Sequence, residues 1–408
     1  MGESLIYLTD RFPFHPGEHF LEAEIRHLSD HFERISLIPL AESVDETSDP
    51  RPVPVNVEVV SAVRETAWLK WRTTGFLGRL ASGLVSPSWW FGDLFRMRPV
   101  QPRMLFGELA QVKLLTECIE SIIDVDEHAA VASFWLNRPA AVAANLGCRH
   151  RRLVTFSRGH GGDIYPHRQG MRHLPLQRAT LARLDGVLCD SRKGAEHVRL
   201  QHRGFADKVD VGRLGVENQT TVCPASEDGI MRLLSLSSMV PVKRVHLIAQ
   251  ALLLVGRKVV WTHVGDGECR QEVEAVVNEL GGDVKVELVG EMSHDDVLER
   301  LGEGPFDVLL NVSESEGLPV SIMEAFSFGI PAIATDAGGS AEIVDDECGH
   351  VIAIDHPPEV LASLLQDFEL GESSKRTAAR NKQRSEYHDA ANQAAFADLM
   401  LRAARDKR

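Results

Sequence analysis

Apolar residues follow two patterns along this chain. Short continuous runs alternate with longer segments in which apolar residues recur every three or four positions, as on one face of a helix. Strands that alternate with helices favour parallel sheets covered by helices, so the pattern predicts an α/β fold. The runs predict strands at 5–9, 35–39, 130–135, 153–156, 184–189, 209–211, 231–236, 258–264, 284–289, 306–312 and 332–335.

The length and one polar segment predict two doubly wound domains. A chain of 408 residues exceeds the size that a single core usually supports. Between 217 and 228 the sequence becomes polar, which suits a domain boundary. We therefore expect a first domain over 1–217, a second over 218–386, and a helix over 387–408 with apolar residues at helical spacing.

The charge is unevenly distributed. Residues 1–215 carry 27 basic and 26 acidic side chains, whereas residues 216–408 carry 17 and 33. Duplex nucleic acid requires a basic face, so we expect no nucleic-acid partner.

The strand at 306–312 is followed by a loop and a helix that carry two glutamates. Glu316-Gly317-Leu318-Pro319-Val320 leads into apolar residues at helical spacing, and Glu324 lies inside that helix. Free amides at a helix start attract phosphate, and an acid further along can accept hydrogen bonds from hydroxyls. A phosphate site bracketed by two acids indicates a sugar nucleotide, although two acids alone would be ordinary surface residues.

The string from Glu316 to Glu324 resembles the E-x7-E signature of retaining GT-B-fold glycosyltransferases (glycosyltransferase family 4, or group 1). The resemblance implies a GT-B fold, in which two Rossmann-like domains face a cleft and a C-terminal helix returns to the first domain. It implies that Glu316 faces the donor sugar and that Glu324 holds the nucleotide ribose. Gly317, Leu318, Pro319 and Val320 would then bind the donor.

A second loop, Ser157 to Tyr165, places three glycines around His160 at the end of a predicted strand. Glycines let backbone approach a ligand, and a histidine there can hydrogen-bond a hydroxyl or a phosphate. The loop resembles the His-Gly-x-Asp loop of the same family, whose His lies at the reacting carbon of the donor. Asp163 is expected to order the loop, and Arg158 is a candidate anion contact. We assign both residues to the acceptor side.

Lys243 and Arg244 lie at a strand–helix junction, where cations can neutralise a diphosphate leaving group. The family usually has an Arg five residues before this Lys, but this chain has Ser238. Arg244 could supply the second positive charge.

Gly265-Asp266-Gly267 lacks the third glycine of a dinucleotide-binding Gly-x-Gly-x-x-Gly motif, because Arg270 stands in its place. The same turn resembles one in the transferase family. By that resemblance, Gly265 and the backbone around Val289 and Gly290 would bind the nucleotide.

The first predicted strand leads into a loop over 10–18, and such strand ends bind ligands in doubly wound sheets. The loop and its helix resemble a polysaccharide-assembly subgroup of the family, in which this loop borders the acceptor cleft. We assign His15 and Glu18 to the acceptor side and Gly17 to the donor, with a plain tight turn as the alternative.

Residues 64–103 contain four of the six tryptophans and seven basic residues against two acidic ones. Aromatic rings with cations suit a membrane headgroup interface, which would serve a lipid-linked acceptor. The alternative is that the tryptophans pack on the core of the first domain.

The six cysteines are scattered and form no Cys-x-x-Cys pair, and no apolar run approaches the length of a membrane span. Both observations favour a cytoplasmic protein. Contact with the inner face of the membrane is left open. The only Asp-x-Asp, Asp124 to Asp126, precedes a strand, which is the wrong end for a ligand site. We expect no metal site and no cofactor beyond the nucleotide-sugar co-substrate.

The resemblance thus implies transfer of a sugar from a UDP- or GDP-sugar to a hydroxyl of a glycan or lipid-linked acceptor with retention, with His160, Glu316 and Lys243 as catalytic residues. Three alternatives remain open: a nucleotide-sugar-binding protein that has lost catalysis, an oxidoreductase built on Gly265 and Gly267, and a GT-B phosphorylase or epimerase.

Overall fold

The computed structural model describes residues 3–15, 17–18, 20–45, 47–75, 78–79, 102–171 and 173–408. The chain forms two compact units. The N-terminal unit comprises Met1–Arg213 together with Asp389–Arg408, and the C-terminal unit comprises Leu214–His388. The sequence places these boundaries after residues 217 and 386, where the structure has 213 and 388.

The N-terminal unit contains a seven-stranded parallel sheet of order β3-β2-β1-β4-β5-β6-β7. From β1 the chain winds first toward β2 and β3 and then crosses to β4 on the other side of β1. The two carboxyl ends beside this reversal form a crevice, which is the usual ligand position in such sheets. The strands are β1 (Ser4–Thr9), β2 (Arg34–Pro39), β3 (Val57–Val59), β4 (Ala130–Ser133), β5 (Val154–Gly159), β6 (Gly186–Cys189) and β7 (Val209–Val211).

Helices cover this sheet because their apolar faces complete its core. Trp68, Leu105, Leu109 and Ile119 are among the residues buried against the strands. The α-helices are α1 (Leu21–Ser29), α2 (Ser61–Thr73), α3 (Pro102–Ile122), α4 (Arg138–Arg149), α5 (Gly161–Ile164), α6 (Gln177–Leu181) and α7 (Arg192–Gln201), with 3-10 turns at Val125–Glu127, Pro166–Gln169 and Arg203–Lys208.

The C-terminal unit repeats this architecture with a six-stranded parallel sheet of order β10-β9-β8-β11-β12-β13. The winding reverses between β8 and β11, so the loops that follow these two strands meet at one crevice. The strands are β8 (Met231–Leu236), β9 (Val259–Val264), β10 (Val284–Gly290), β11 (Val308–Asn311), β12 (Ala332–Thr335) and β13 (Gly349–Ile352).

Two apolar clusters, one on each side of this sheet, contain Trp261 and Phe326 and are closed by helices. The helices are α8 (His246–Leu252), α9 (Arg270–Val277), α10 (His294–Glu303), α11 (Val320–Ser327), α12 (Ser340–Ile343), α13 (Pro358–Asp367) and α14 (Ser373–Glu386), with a 3-10 turn at Pro241–Lys243. The α/β class with two doubly wound units, predicted from the sequence, is confirmed.

The last helix, α15 (Asp389–Asp406), belongs to the N-terminal unit, where it packs against α1. Its Gln393 reaches the buried carboxylate of Glu24 on α1 at 3.1 Å, and its Phe396 ring lies under the guanidinium of Arg158. A helix far along the chain therefore completes the core of the first unit.

The polar segment at 217–228 is bound to the C-terminal unit. Ser226 donates to the carboxylate of Asp307 through its amide (3.0 Å) and its hydroxyl (2.7 Å), and Arg376 donates to the carbonyl of Cys223. The segment therefore has fixed partners within the C-terminal unit, although its polar composition suggested a domain boundary.

Candidate active site

The crevice between β8 and β11 brings Lys243 and Glu316 together. The Lys243 Nζ atom lies 2.7 Å from Glu316 Oε1, and Asn311 at the end of β11 donates to the same oxygen at 3.2 Å. Lys243 is a quarter exposed, whereas Glu316 is buried. The two residues are 73 positions apart in the sequence. They meet because the winding of the sheet reverses between β8 and β11, which places the loops after these strands side by side.

Glu316 is held as a carboxylate. Burial raises its pKa, but the Lys243 ammonium and the hydrogen bonds from Lys243, Ser313 and Asn311 outweigh burial and leave the pKa below its ordinary value. The site therefore presents the Glu316 carboxylate directly beside the Lys243 side chain.

The loop of Glu316 is fixed by close contact with the loop after β12. Gly338 has a φ of 53°, and a Cβ atom there would lie 2.0 Å from the Glu316 carbonyl oxygen. The Gly339 amide donates to the Gly317 carbonyl at 2.7 Å. Only a glycine allows this approach, and the contact sets the path through Leu318 and Pro319 into α11.

Glu324, one turn into α11, is almost buried and has a partner that the sequence reading missed. His294, the first residue of α10, places Nε2 at 2.8 Å from Glu324 Oε1. The cap signal at Ser293 marks a helix start at this point. The histidine's partner, 30 positions away, follows only from the packing of α10 beside α11.

Arg244 follows Lys243 but is directed elsewhere. It adopts a left-handed conformation, and its guanidinium donates to the carbonyls of Val312 (2.9 Å), Ser313 (3.3 Å) and Ile354 (2.8 Å). These bonds tie three loops together. The predicted second charge for the diphosphate stays a prediction, and Ser238 supplies none.

The ends of β9 and β10 are joined at the turn predicted to bind the nucleotide. The Gly265 amide donates to the Gly290 carbonyl at 2.8 Å, and both glycines have positive φ angles. A Cβ on Gly265 would lie 2.0 Å from the Ser237 carbonyl oxygen, so this position requires glycine. Val289 is partly exposed beside them. Their contact with a nucleotide stays a prediction.

In the N-terminal unit, His160 follows β5 and is buried between aromatic rings. It stacks on Phe134, with ring centroids 4.1 Å apart, and meets Trp135 edge-on. Burial, with a smaller effect of Arg158, lowers its pKa to about 3, so the imidazole is neutral. Among the described residues, neither ring nitrogen has a hydrogen-bond partner.

Asp163 holds the loop around His160 in place. Its carboxylate accepts the amide hydrogens of His160 and Leu136, both at 2.6 Å. Burial raises its pKa to about 8, although these two amide bonds act in the opposite direction. These contacts fix the loop, and the acceptor-side role assigned to Asp163 stays a prediction.

Glu18 has a similar structural position after β1. It is buried in a left-handed conformation, and its carboxylate accepts the amides of Arg11 and Phe12 (each 2.6 Å) and the indole N–H of Trp135 (2.6 Å). His15, whose Nδ1 lies 3.3 Å from Arg51, remains partly exposed on the same loop, and Gly17 has a φ of 85°. Their roles toward acceptor and donor stay predictions.

Arg158 is at odds with its predicted role as an anion contact. Its side chain is 1% exposed and donates to Glu24 (3.0 Å), the Gly212 carbonyl (3.0 Å) and Gln393 (2.5 Å). The guanidinium therefore binds α1 and α15 into the core of the unit. No local sequence pattern could show these contacts, because Glu24 and Gln393 lie 134 and 235 positions away from Arg158.

Comparison with known proteins identifies the part of the chain that holds Lys243, Glu316 and Glu324. Residues 226–386 match the family described as glycosyl transferases group 1. These residues are a group 1 glycosyltransferase domain.

Curated proteins similar to this chain are named as glycosyltransferases. The amylovoran biosynthesis glycosyltransferase AmsK of Erwinia amylovora is 23% identical over 49% of the chain and 52% of its own length. The putative colanic acid biosynthesis glycosyltransferase WcaL of Escherichia coli is 24% identical over 56% of the chain and 59% of its own length. The chain thus spans about half the length of the curated relatives it matches.

Solved glycosyltransferase structures confirm the GT-B fold. The lipopolysaccharide outer core galactosyltransferase WaaB superposes with a TM-score of 0.67 at 15% identity, covering 98% of this chain and 99% of its own. Anabaena Alr3699/HepE, solved in complex with UDP, gives 0.66 at 15% identity with the same coverage. At this identity the likeness concerns the fold alone.

The structure describes only some of the tryptophans at 64–103 that suggested a membrane contact. Trp68 is 4% exposed, and its indole donates to the Leu40 carbonyl at 3.1 Å. This residue therefore packs on the core of the N-terminal unit, which was the alternative to a membrane contact. Trp89 and Trp90 lie outside the described residues. No helix in the described part of the chain is long and apolar enough to cross a membrane.

The Asp-x-Asp segment precedes β4, as predicted, and Asp124 accepts the Asp126 amide in the turn before the strand. Within the described ranges, no group of three or more His, Cys, Asp or Glu side chains is arranged to hold a metal ion.

Proposed function

We propose that this protein is a retaining glycosyltransferase that moves a sugar from a UDP- or GDP-sugar to a hydroxyl of a glycan or lipid-linked acceptor, in the assembly of an extracellular polysaccharide or lipopolysaccharide. The relatives named for amylovoran and colanic acid biosynthesis support this class of acceptor. The observation that carries the proposal is the Lys243–Glu316 pair in the β8–β11 crevice of the group 1 domain.

The pair offers the charges that departure of a diphosphate requires. Lys243 is a partly exposed cation, and the start of α11 adds partial positive charge from its free amides. Together they would stabilise the negative charge that develops on the leaving phosphate as the anomeric C–O bond breaks. The carboxylate of Glu316 would face the positive charge that develops on the sugar.

Two routes to retention fit this arrangement. In the favoured route the acceptor hydroxyl attacks on the departing face, and its proton passes to the leaving phosphate oxygen. In the alternative, Glu316 attacks the anomeric carbon as its C–O bond to the diphosphate breaks. The acceptor hydroxyl then displaces the Glu316 carboxylate and releases its proton to the solvent. Substitution Glu316→Gln is expected to reduce turnover by at least a hundredfold while nucleotide binding persists. Full turnover of that variant would refute both roles of Glu316.

The donor is tested by thermal-shift measurements with a panel of UDP- and GDP-sugars. A ligand present at about 100 times its Kd adds roughly 2.7 kcal/mol to the free energy of unfolding of the domain that binds it. The expected result is stabilisation by one nucleotide class, with no effect of NAD. Stabilisation by NAD alone would instead favour the oxidoreductase.

We further propose that transfer needs no divalent ion, because Lys243 and α11 supply the positive charge at the diphosphate. Turnover should therefore persist in EDTA, with no gain when Mg²⁺ or Mn²⁺ is restored. Loss of turnover in EDTA and recovery with Mn²⁺ would show that a metal carries this charge.

A catalytically impaired nucleotide-sugar-binding protein is the second candidate, and one observation favours it. Ser238 stands where the family usually has an Arg, and Arg244 donates to three carbonyls, which leaves Lys243 as the cation at the Glu316 carboxylate. Separate assays of donor binding, donor hydrolysis and transfer distinguish the candidates. Binding without either reaction, across a panel of acceptors, would establish the second.

A further inference from the structure

We propose that His294 is a positioning residue for donor binding: it holds the Glu324 carboxylate in the orientation that receives the ribose hydroxyls. The inference rests on the proposed function, in which Glu324 contacts the ribose of the donor. It adds a residue outside the Glu316–Glu324 string and predicts how the protein distinguishes ribose from deoxyribose.

The backbone of His294 is fixed by the start of α10. Ser293 caps this helix and accepts the Asp296 amide at 3.2 Å, so His294 occupies the first helical position directly after the loop that follows β10. From there its Nε2 atom reaches Glu324 Oε1 at 2.8 Å, which joins α10 to α11.

The exposure of the two side chains suggests a role in binding. The Glu324 side chain is 10% exposed, whereas that of His294 is 48% exposed. A pair with one partner so open to solvent contributes little to folding, because water competes for the charge. The same bond nevertheless restricts the carboxylate of Glu324, which would otherwise rotate about its last torsion angle.

A fixed carboxylate is a better partner for a vicinal diol than a rotating one. An ionised carboxylate has about four lone-pair positions, so Oε1 can accept His294 and still leave positions on both oxygens for hydroxyls. When the side chain is already ordered, binding does not have to restrict it. His294 would therefore strengthen binding of nucleotides that carry both ribose hydroxyls and have little effect on those that lack one.

The test compares dissociation constants for UDP and GDP with those for their 2′-deoxy and 3′-deoxy forms, measured by calorimetry. The wild type should bind the better ribonucleotide at least tenfold more tightly than a deoxy form. His294→Ala should reduce this ratio to about threefold or less and raise the donor KM about tenfold, with kcat unchanged. His294→Gln should restore both values, because its amide nitrogen can take the place of Nε2.

A matched control is His246, which also begins a helix of the C-terminal unit and lies 3.5 Å from a glutamate, Glu272. His246→Ala should leave the ratio and the donor KM unchanged. An equal loss in both histidine variants would mean that substitution at a helix start weakens the domain generally, which overturns the inference.

Failure of the inference and failure of the proposed function give different results. If Glu324→Gln abolishes the preference for ribose and His294→Ala preserves it, then Glu324 binds ribose without help from His294 and only the inference is overturned. If the wild type shows no preference, or binds neither nucleotide, the role proposed for Glu324 is wrong and the inference is overturned with it.

Discussion

The contact between Lys243 and Glu316 determines the charge that this site presents to a ligand. The carboxylate is buried and is kept ionised by an ammonium 2.7 Å away, while the ammonium keeps part of its surface open to a ligand. At His160 the environment acts in the opposite direction: burial among aromatic rings keeps the imidazole neutral. At the scale of single residues, the surroundings thus determine which of these groups carries a charge.

Substitution Lys243→Met should lower the free energy of unfolding, and the size of this loss should depend on pH. Because pairing lowers the pKa of Glu316, its contribution to stability is present above the ordinary carboxyl pKa and is lost as the pH falls through the lowered one. At pH 7 the variant should lose about 2 kcal/mol, less than for a fully buried pair because Lys243 is a quarter exposed.

Urea unfolding at pH 7 and at pH 3.5 measures this loss, which should shrink at the lower pH because the Glu316 carboxyl then takes up a proton in the unfolded chain. Lys285→Met on β10, at an exposed position of the same unit, is the control and should change little. A loss of the same size at both pH values would show that the charge of Glu316 is not responsible.

Substitution His160→Phe should separate stability from turnover. A phenyl ring can keep the stack on Phe134, and it removes two buried nitrogens that have no hydrogen-bond partner among the described residues. We expect a gain in stability of about 1 kcal/mol at pH 7 and a loss of turnover of at least a hundredfold.

The pH dependence gives a second readout for His160. Because its folded pKa lies below its unfolded value of 6.5, the unfolded state binds a proton first, and wild-type stability falls as the pH drops from 6.5 toward 3. The Phe variant lacks this fall, so its stability advantage should grow in acid. An advantage that is constant with pH would mean that the histidine is not buried as described.

The strands and helices explain why these residues meet. In the C-terminal sheet the winding reverses between β8 and β11, which brings Lys243 to Glu316 across 73 positions. The loop after β12 then fixes the Glu316 loop through Gly338. Each catalytic candidate of this unit therefore depends on the end of a neighbouring strand.

Substitution Gly338→Ala should displace the Glu316 loop. The new Cβ atom would lie 2.0 Å from the Glu316 carbonyl oxygen, at a φ of 53° that an alanine rarely adopts. We expect donor affinity to fall at least tenfold, measured by calorimetry with the preferred nucleotide. Gly282→Ala, where nothing lies within 4 Å of the added atom, is the control. Unchanged affinity in both variants would show that this contact does not set the site.

At this scale the sequence predicted much and missed specific contacts. Periodicity located β1, β2 and β4 to β12, with Val209–Val211, Met231–Leu236 and Ala332–Thr335 found to the residue, but it missed the short edge strands β3 (Val57–Val59) and β13 (Gly349–Ile352). Local sequence strings also singled out Lys243, Glu316 and His160 as catalytic candidates, and these roles stay predictions. The contacts of Arg158 and His294 could not be predicted from the sequence, because each depends on a partner in another helix. No local pattern encodes which elements pack together.

At the scale of the whole molecule, each unit has its own sheet and core, and α15 is part of the first unit although it follows the second in sequence. Arg158 links β5 to this helix through Gln393 and Phe396, and Glu24 joins the same buried group. The stability of the N-terminal unit therefore depends on residues 389–408.

Substitution Arg158→Met should loosen α15. It leaves Glu24 buried without its cation, which typically costs roughly 3–5 kcal/mol. Hydrogen exchange should increase in α15 and α1 and remain unchanged in the C-terminal unit. Arg402→Met, an exposed arginine on the same helix, is the control. If exchange increased equally throughout the chain, Arg158 would not act locally on α15.

The position of α15 has a consequence for how this protein is made. During synthesis, β1 to β7 emerge first, but the helix that closes their core follows only after Leu214–His388 has been translated. At roughly 5–20 residues per second, that interval lasts on the order of 10 to 35 seconds. During this interval the sheet of the nascent N-terminal unit exposes the surface around Phe156 that Phe396 later covers. The chain therefore needs protection from aggregation until α15 has been synthesised.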